Sequence, residues 1–425
     1  MNHFSKCIHR MLISFLILLF LPILPAGSSA DGETVLTLPK SLTTIATETF
    51  RGDTSLQKVV LQEGITSIQS RAFADSSIRE IHLPASLTEI AENAFENTCL
   101  ETVTAPKGSY AYQWAREHRY ITEYRALLIG ETKFVRRNEN GEDEIKEVLR
   151  NANDVRKMAA MLSRVYGPTG EAFEVTQRTN LRRKALKAAI QTTFAGMMDH
   201  DVSLFFIATH GKSDGDGDLE MPYNGDLDDD EYWDSYAPDA RHFLPFSTLA
   251  EWLSTMVNGK VIVILESCGA GSSIYEGNGE KKRGEKTEEE LNEEFVQAAV
   301  SAFAKADPGV TTAAQTESFR KSTGDFLQPK FFVLAAAAHH EDSYGYSNNA
   351  SDPVNLFTKW LIEGVGVKGN SPADTDQDDL LILNELHRYI QKVGDNYKIK
   401  INGVTHYQHV QAYPVNSNQA IFLLK

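Results

Sequence analysis

The stretch Val202-Ser203-Leu204-Phe205-Phe206-Ile207-Ala208-Thr209-His210-Gly211 decides the fold together with Lys260-Val261-Ile262-Val263-Ile264-Leu265-Glu266-Ser267-Cys268-Gly269-Ala270-Gly271. Each is a mostly apolar run that stops at polar residues and glycine. A strand that is apolar on both faces must be covered on both faces, as in a parallel sheet flanked by helices. The neighbouring sequence agrees. Residues 125–130 and Phe173-Glu174-Val175-Thr176 read as further strands. Asn153 is expected to cap a helix with Val155, Met158, Ala159, Leu162 and Val165 on one face, and Asn180 to cap one that turns Leu186, Ile190 and Phe194 inward. Another helix is expected at 247–256. In such sheets chemistry gathers beyond the carboxyl ends of the strands.

Two strand ends bear reactive groups. If the two runs are neighbours, His210 and Cys268 emerge at the same edge of the sheet. A thiol nucleophile needs an imidazole that favours the thiolate or takes its proton, and that later protonates a leaving amine. Glycines beside both residues let a carbonyl approach the backbone, so the amides of Gly211 and Cys268 are candidate donors to an oxyanion.

The strand ending in T-H-G, the later strand ending in E-S-C-G-A-G and their order resemble the caspase and metacaspase superfamily of cysteine peptidases. The segments Phe331-Phe332-Val333-Leu334-Ala335-Ala336-Ala337, Asn355-Leu356-Phe357-Thr358-Lys359-Trp360-Leu361 and 380–390 are similar to its remaining strand and helices. The resemblance spans residues 124–425. It implies an α/β fold with a caspase-like, mostly parallel sheet flanked by helices, and a cysteine endopeptidase working through His210 and Cys268 on protein or peptide substrates. The sequence departs from the commoner metacaspase pattern D-S-C-H-S-G at Glu266, Gly269 and Ala270. In the family, the position two before the nucleophile lines the pocket for the residue preceding the scissile bond. Glu266 there, with Asp342 as a second candidate, implies preference for Arg or Lys by charge-assisted hydrogen bonding. The competing class is a catalytically inactive caspase-like protein that binds or adheres through its repeats.

Those repeats precede the peptidase-like region. Leu42, Ile45 and Phe50 recur as Ile65, Ile68 and Phe73 and again as Leu87, Ile90 and Phe95, with strand-like pieces at Lys58-Val59-Val60-Leu61, Glu80-Ile81-His82-Leu83 and Glu101-Thr102-Val103-Thr104. Such units bury their apolar sides only against neighbours. The pattern L-P-x-S-L-T-x-I-x-x-x-x-F from Leu38 and from Leu83 resembles BspA-type leucine-rich repeats. They form a short solenoid over residues 31–120, whose closing segment offers Tyr112 and Trp114 to cover the last repeat. A protein or surface ligand of the repeats is one expectation; a rigid spacer is the other.

Residues 1–30 read as a secretory signal: Lys6 and Arg10, an apolar run from Met11 to Leu24, and small residues Ser28 and Ala30 before the expected cut. The expectation is a secreted or cell-surface protein with no membrane association after cleavage. Of 425 residues, 42 are Lys or Arg and 58 Asp or Glu, a net charge of -16, which gives no general attraction for nucleic acid. Three cysteines exclude a disulfide framework, and Cys99 is expected to be a small buried hydrophobe.

Two further features concern regulation and metals. The basic run Lys281-Lys282-Arg283 lies in a Gly- and charge-rich insertion after Cys268, and Lys282 and Arg283 are candidate self-cleavage positions. Asp374, Asp376, Asp378 and Glu385 match positions 1, 3, 5 and 12 of a calcium loop, but Asp379 replaces the Gly of position 6. A turn entering a helix at 384–391 accounts for them without metal. Asp214-Gly215-Asp216-Gly217-Asp218 is a second acidic loop. No cofactor is required by the proposed chemistry; calcium stays open.

Overall fold

The computed structural model describes residues 27–28, 34–36, 38, 41–137, 143–148, 151–212, 218–220, 243–267, 303, 306, 329–337, 342–345, 353–401, 404–414 and 416–425. The chain divides into two units, Met1–Thr122 and Glu123–Lys425.

In the first unit, strands Thr34–Leu36, Lys58–Val60, Glu80–His82 and Thr102–Thr104 pair in parallel, one per turn of a solenoid. Thr44–Ile45, Ser67–Ile68 and Glu89–Ile90 make a second parallel ladder. Gly27–Ser28 pairs antiparallel with the first strand. Because the repeat places the same residue type at the same height, identical side chains stack. Phe50 lies on Phe73 and Phe73 on Phe95, with ring centroids 5.2 and 5.4 Å apart. The stack ends at helix α1, Tyr110–Glu117, whose cap Ser109 accepts from the Tyr112 amide at 3.0 Å. Trp114 closes the core against Phe95 at 5.6 Å. Cys99 differs from expectation. It is half-buried instead of buried.

The second unit is built on a sheet of β1 (Tyr124–Gly130), β2 (Phe173–Thr179), β3 (Val202–Ala208), β4 (Lys260–Glu266), β5 (Phe331–Ala335) and β6 (Gln411–Tyr413). Their spatial order is β2-β1-β3-β4-β5-β6. All neighbours are parallel except β5 and β6. Alternation divides the apolar residues cleanly. Leu128, Phe206, Ile264 and Leu334 face helices α2 (Asn151–Leu162), α5 (Leu356–Val365) and α6 (Leu383–Asn396). Ile129, Phe205, Val263 and Val333 face α3 (Arg183–Thr193) and α4 (Phe246–Met256).

Several local expectations are corrected. Helix α2 begins at Asn151, so Asn153 lies inside it and donates from Nδ2 to the Pro353 carbonyl instead of capping. Asn180 takes a left-handed φ of 54° and its Oδ1 accepts from Thr132 and Lys133 amides, while α3 starts later at Arg183. An asparagine tolerates that backbone and serves the turn better than the helix. Residues 380–382 form a strand against Ala420–Leu424 before α6 begins. The polar stretch after β1 contains a hairpin, Lys133–Arg137 with Asp143–Val148. Asp218 belongs to a strand, Asp218–Glu220, and Asp214 and Asp216 lie outside the described residues.

Candidate active site

Strands β3 and β4 are in parallel register, and their last pair is Ala208 with Glu266. The pairing continues one step further: the Thr209 amide donates to the Glu266 carbonyl at 3.1 Å. His210, half-buried, therefore stands two residues beyond one member of the last pair. Cys268 stands two residues beyond the other in sequence, outside the described residues. Gly211 opens the short strand Gly211–Lys212, which pairs with Asp218–Glu220. Lys282 and Arg283 also lie outside the described residues.

Glu266 falls on the α2/α5 face of the sheet by alternation, and it is 1% exposed. Its Oε2 accepts the Thr358 amide at 2.9 Å and the Thr358 hydroxyl at 2.8 Å, and its Oε1 accepts the Ser343 hydroxyl. Thr358 is the third residue of α5, where helix N–H groups have no intrahelical partner. Glu266 thus supplies the cap that the N-cap residue Asn355 does not make with its own side chain. Asn355 is otherwise engaged: its amide donates to Asp154 Oδ1 at 2.8 Å, and its Nδ2 donates to Asp154 Oδ2 and Asn151 Oδ1, each at 3.1 Å.

Two buried carboxyl groups consequently share the first turn of α5. Burial pushes Glu266 up to about 7. Burial and the neighbouring Glu266 charge hold Asp154 well above the ordinary carboxylate range. Each such group favours the proton over the charged form in this surrounding. Asp342 is exposed and directly precedes Ser343, the donor to Glu266. The structure therefore joins Glu266 and the Asp342 loop through one hydroxyl.

Asp154, Thr358 and Ser343 went unread in the sequence. One signal was present for Asp154: with Asn151, it occupies the same helical stripe as Val155, Met158 and Leu162, where a polar residue must have a partner. Glu131 was also missed. It follows β1 directly, is 0% exposed and accepts the Leu181 amide from Oε1 at 3.1 Å, while Oε2 has no partner among the described residues. Burial raises it to about 8.

The acidic loop before α6 is arranged by its own backbone. Carboxylate oxygens of Asp374, Asp376 and Asp378 lie within 4.8 Å of one another. Asp374 accepts from the Gln377 and Asp379 amides and Asp378 from Leu380. Glu385 accepts from Thr375 and Ile382, so its oxygens serve the loop and the start of α6. Asp379 adopts the left-handed φ of 64° that the absent glycine would have taken.

Comparison with known proteins follows the same division. The BspA type leucine rich repeat region matches residues 32–115 in 6 copies. The caspase domain matches residues 123–388. Among solved structures, caspase-1 from Spodoptera frugiperda is 13% identical with a TM-score of 0.38, over 68% of this chain and 86% of that one. A protein from Geobacter sulfurreducens is 13% identical with a TM-score of 0.38, over 71% of this chain and 97% of that one. No curated protein matches.

Proposed function

Starting from a chain that belongs to the caspase-domain family, we propose that it is an exported cysteine endopeptidase that cleaves after Arg or Lys. The observation that carries this reading is the register pair Ala208–Glu266, which ends two adjacent parallel strands: in sequence, His210 follows one member by two residues and Cys268 the other. His210 takes the Cys268 proton as the sulfur attacks the peptide carbonyl. The amides of Gly211 and Cys268 receive the oxyanion. Collapse expels the amine, which His210 protonates, and leaves a thioester. Water, deprotonated by His210, then releases the acid and restores the thiol.

The basic preference is supported by the buried pair Glu266 and Asp154 and by exposed Asp342, which directly precedes the Ser343 donor to Glu266. A guanidinium or ammonium entering there offsets repulsion between two carboxyl groups and gains charge-assisted hydrogen bonds. The chemistry uses thiol and imidazole alone and calls for no cofactor. The repeats serve protein binding, and the first thirty residues direct export.

The test is hydrolysis of matched peptides ending in Arg, Lys or Asp by wild type and Cys268→Ala. Cleavage after Arg and Lys that disappears in the variant is expected. Hydrolysis that survives in Cys268→Ala overturns the mechanism, and preference for Asp overturns the specificity.

A further inference from the structure

Gln408 lies between the strand Val404–His406 and β6, and it is 0% exposed. A primary amide in a core is costly unless its donors and acceptor are used. Here they are used on one target. Nε2 donates to the Ala336 carbonyl at 3.0 Å, just past β5, and to Ser343 Oγ at 3.3 Å. Oε1 accepts the Tyr344 amide at 3.0 Å. The Tyr344 carbonyl in turn accepts the Leu356 amide, the first of α5, at 2.9 Å.

These bonds have a direction. Ser343 Oγ accepts from Gln408, which leaves its single proton for Glu266. The same amide pins the backbone immediately after Asp342. Without Gln408, the serine hydroxyl loses this donor and the Tyr344 amide loses this acceptor.

We infer that Gln408 is a positioning residue for specificity: through Ser343 and the Tyr344 amide it sets the acidic pocket that selects a basic residue. The inference rests on the reading of Glu266, Asp154 and Asp342 as that pocket. It assigns a determinant of substrate choice to a segment far from the strand ends in sequence. A role in fold alone would weaken all substrates alike; a role in positioning the acids weakens the cationic substrate alone.

The experiment compares the full-length enzyme with Gln408→Met, Ser343→Ala and the double variant on a peptide ending in Arg and on its neutral isostere ending in citrulline. Gln408→Met keeps volume and removes the hydrogen bonds. It should raise KM for the Arg peptide about tenfold, with kcat within about twofold and little change on citrulline. Ser343→Ala should do the same, and the double variant should be no worse than the more affected single one, since both break one chain of bonds. Equal losses on both peptides, a fall in kcat alone, or additive effects would overturn the inference. Ser343→Ala, which deletes one oxygen, carries the same comparison should Gln408→Met fail to fold. A wild type that treats Arg and citrulline alike instead removes the pocket reading itself, and the role of Gln408 with it.

Discussion

Thr358 gives both its amide and its hydroxyl to one carboxylate oxygen of Glu266, at 2.9 and 2.8 Å. This joins the end of β4, two residues before Cys268, to the first turn of α5. A carboxylate at a helix N-terminus is stabilised by the free N–H groups and the helix dipole, yet burial still pushes Glu266 up to about 7. The group is therefore placed to change charge near neutral pH.

Glu266→Gln should cost the Arg peptide more than the citrulline peptide, by a charge-assisted bond of roughly 1.5–3 kcal/mol. In wild type, the ratio of KM for Arg to KM for citrulline should fall as pH rises through about 7, because the carboxyl must ionise to attract the cation. The variant should show a weaker pH dependence of that ratio, with Asp154 the remaining carboxyl of the pair. Equal losses on the two peptides would mean that Glu266 holds α5 without reading the substrate.

Glu131 predicts a pH slope in stability. Its carboxyl is raised to about 8 by burial in the fold, against about 4.3 in an unfolded chain. The folded state then holds more protons than the unfolded state between those values, so stability falls as pH rises through that window and levels off above it. Thermal unfolding of Glu131→Gln should vary less between pH values of about 5 and 8.5 than wild type. Parallel slopes would show that Glu131 is ionised in the native protein.

In the solenoid, Phe73 is the middle ring of the stack and is 0% exposed. Phe73→Ala should remove about 3–5 kcal/mol from the unfolding free energy of that unit, a cavity effect. Denaturant titration reads it directly. A loss under about 1 kcal/mol would mean that neighbouring repeats close the gap.

Self-processing is expected after Lys282 or Arg283. Purified wild type should convert to two fragments meeting near residue 283, while Cys268→Ala stays whole; the new N-terminus of the second fragment identifies the bond. If neither protein is cut where basic peptides are hydrolysed, the insertion is not a substrate of its own enzyme.

The sequence by itself determined the parallel core, because apolar runs such as 202–208 and 260–265 leave a strand no wet face. It also determined the solenoid, because a residue recurring at fixed spacing lands on its own copy, as Phe50, Phe73 and Phe95 do. The place of His210 two residues past β3 was legible for the same reason, since it follows from chain order and strand direction. The surroundings of Glu266 were not. Asp154, Ser343, Thr358 and Gln408 come from four separate stretches of chain, and no local periodicity relates them. Helix starts were misplaced for a related reason. Asn153 and Asn180 have the chemistry of caps, but their side chains found partners at Pro353 and Thr132, residues distant in sequence. Hydrogen bonds between distant segments form only after the sheet has brought its carboxyl edge together, so tertiary structure alone decided which buried acids share a cap and which polar side chains hold them.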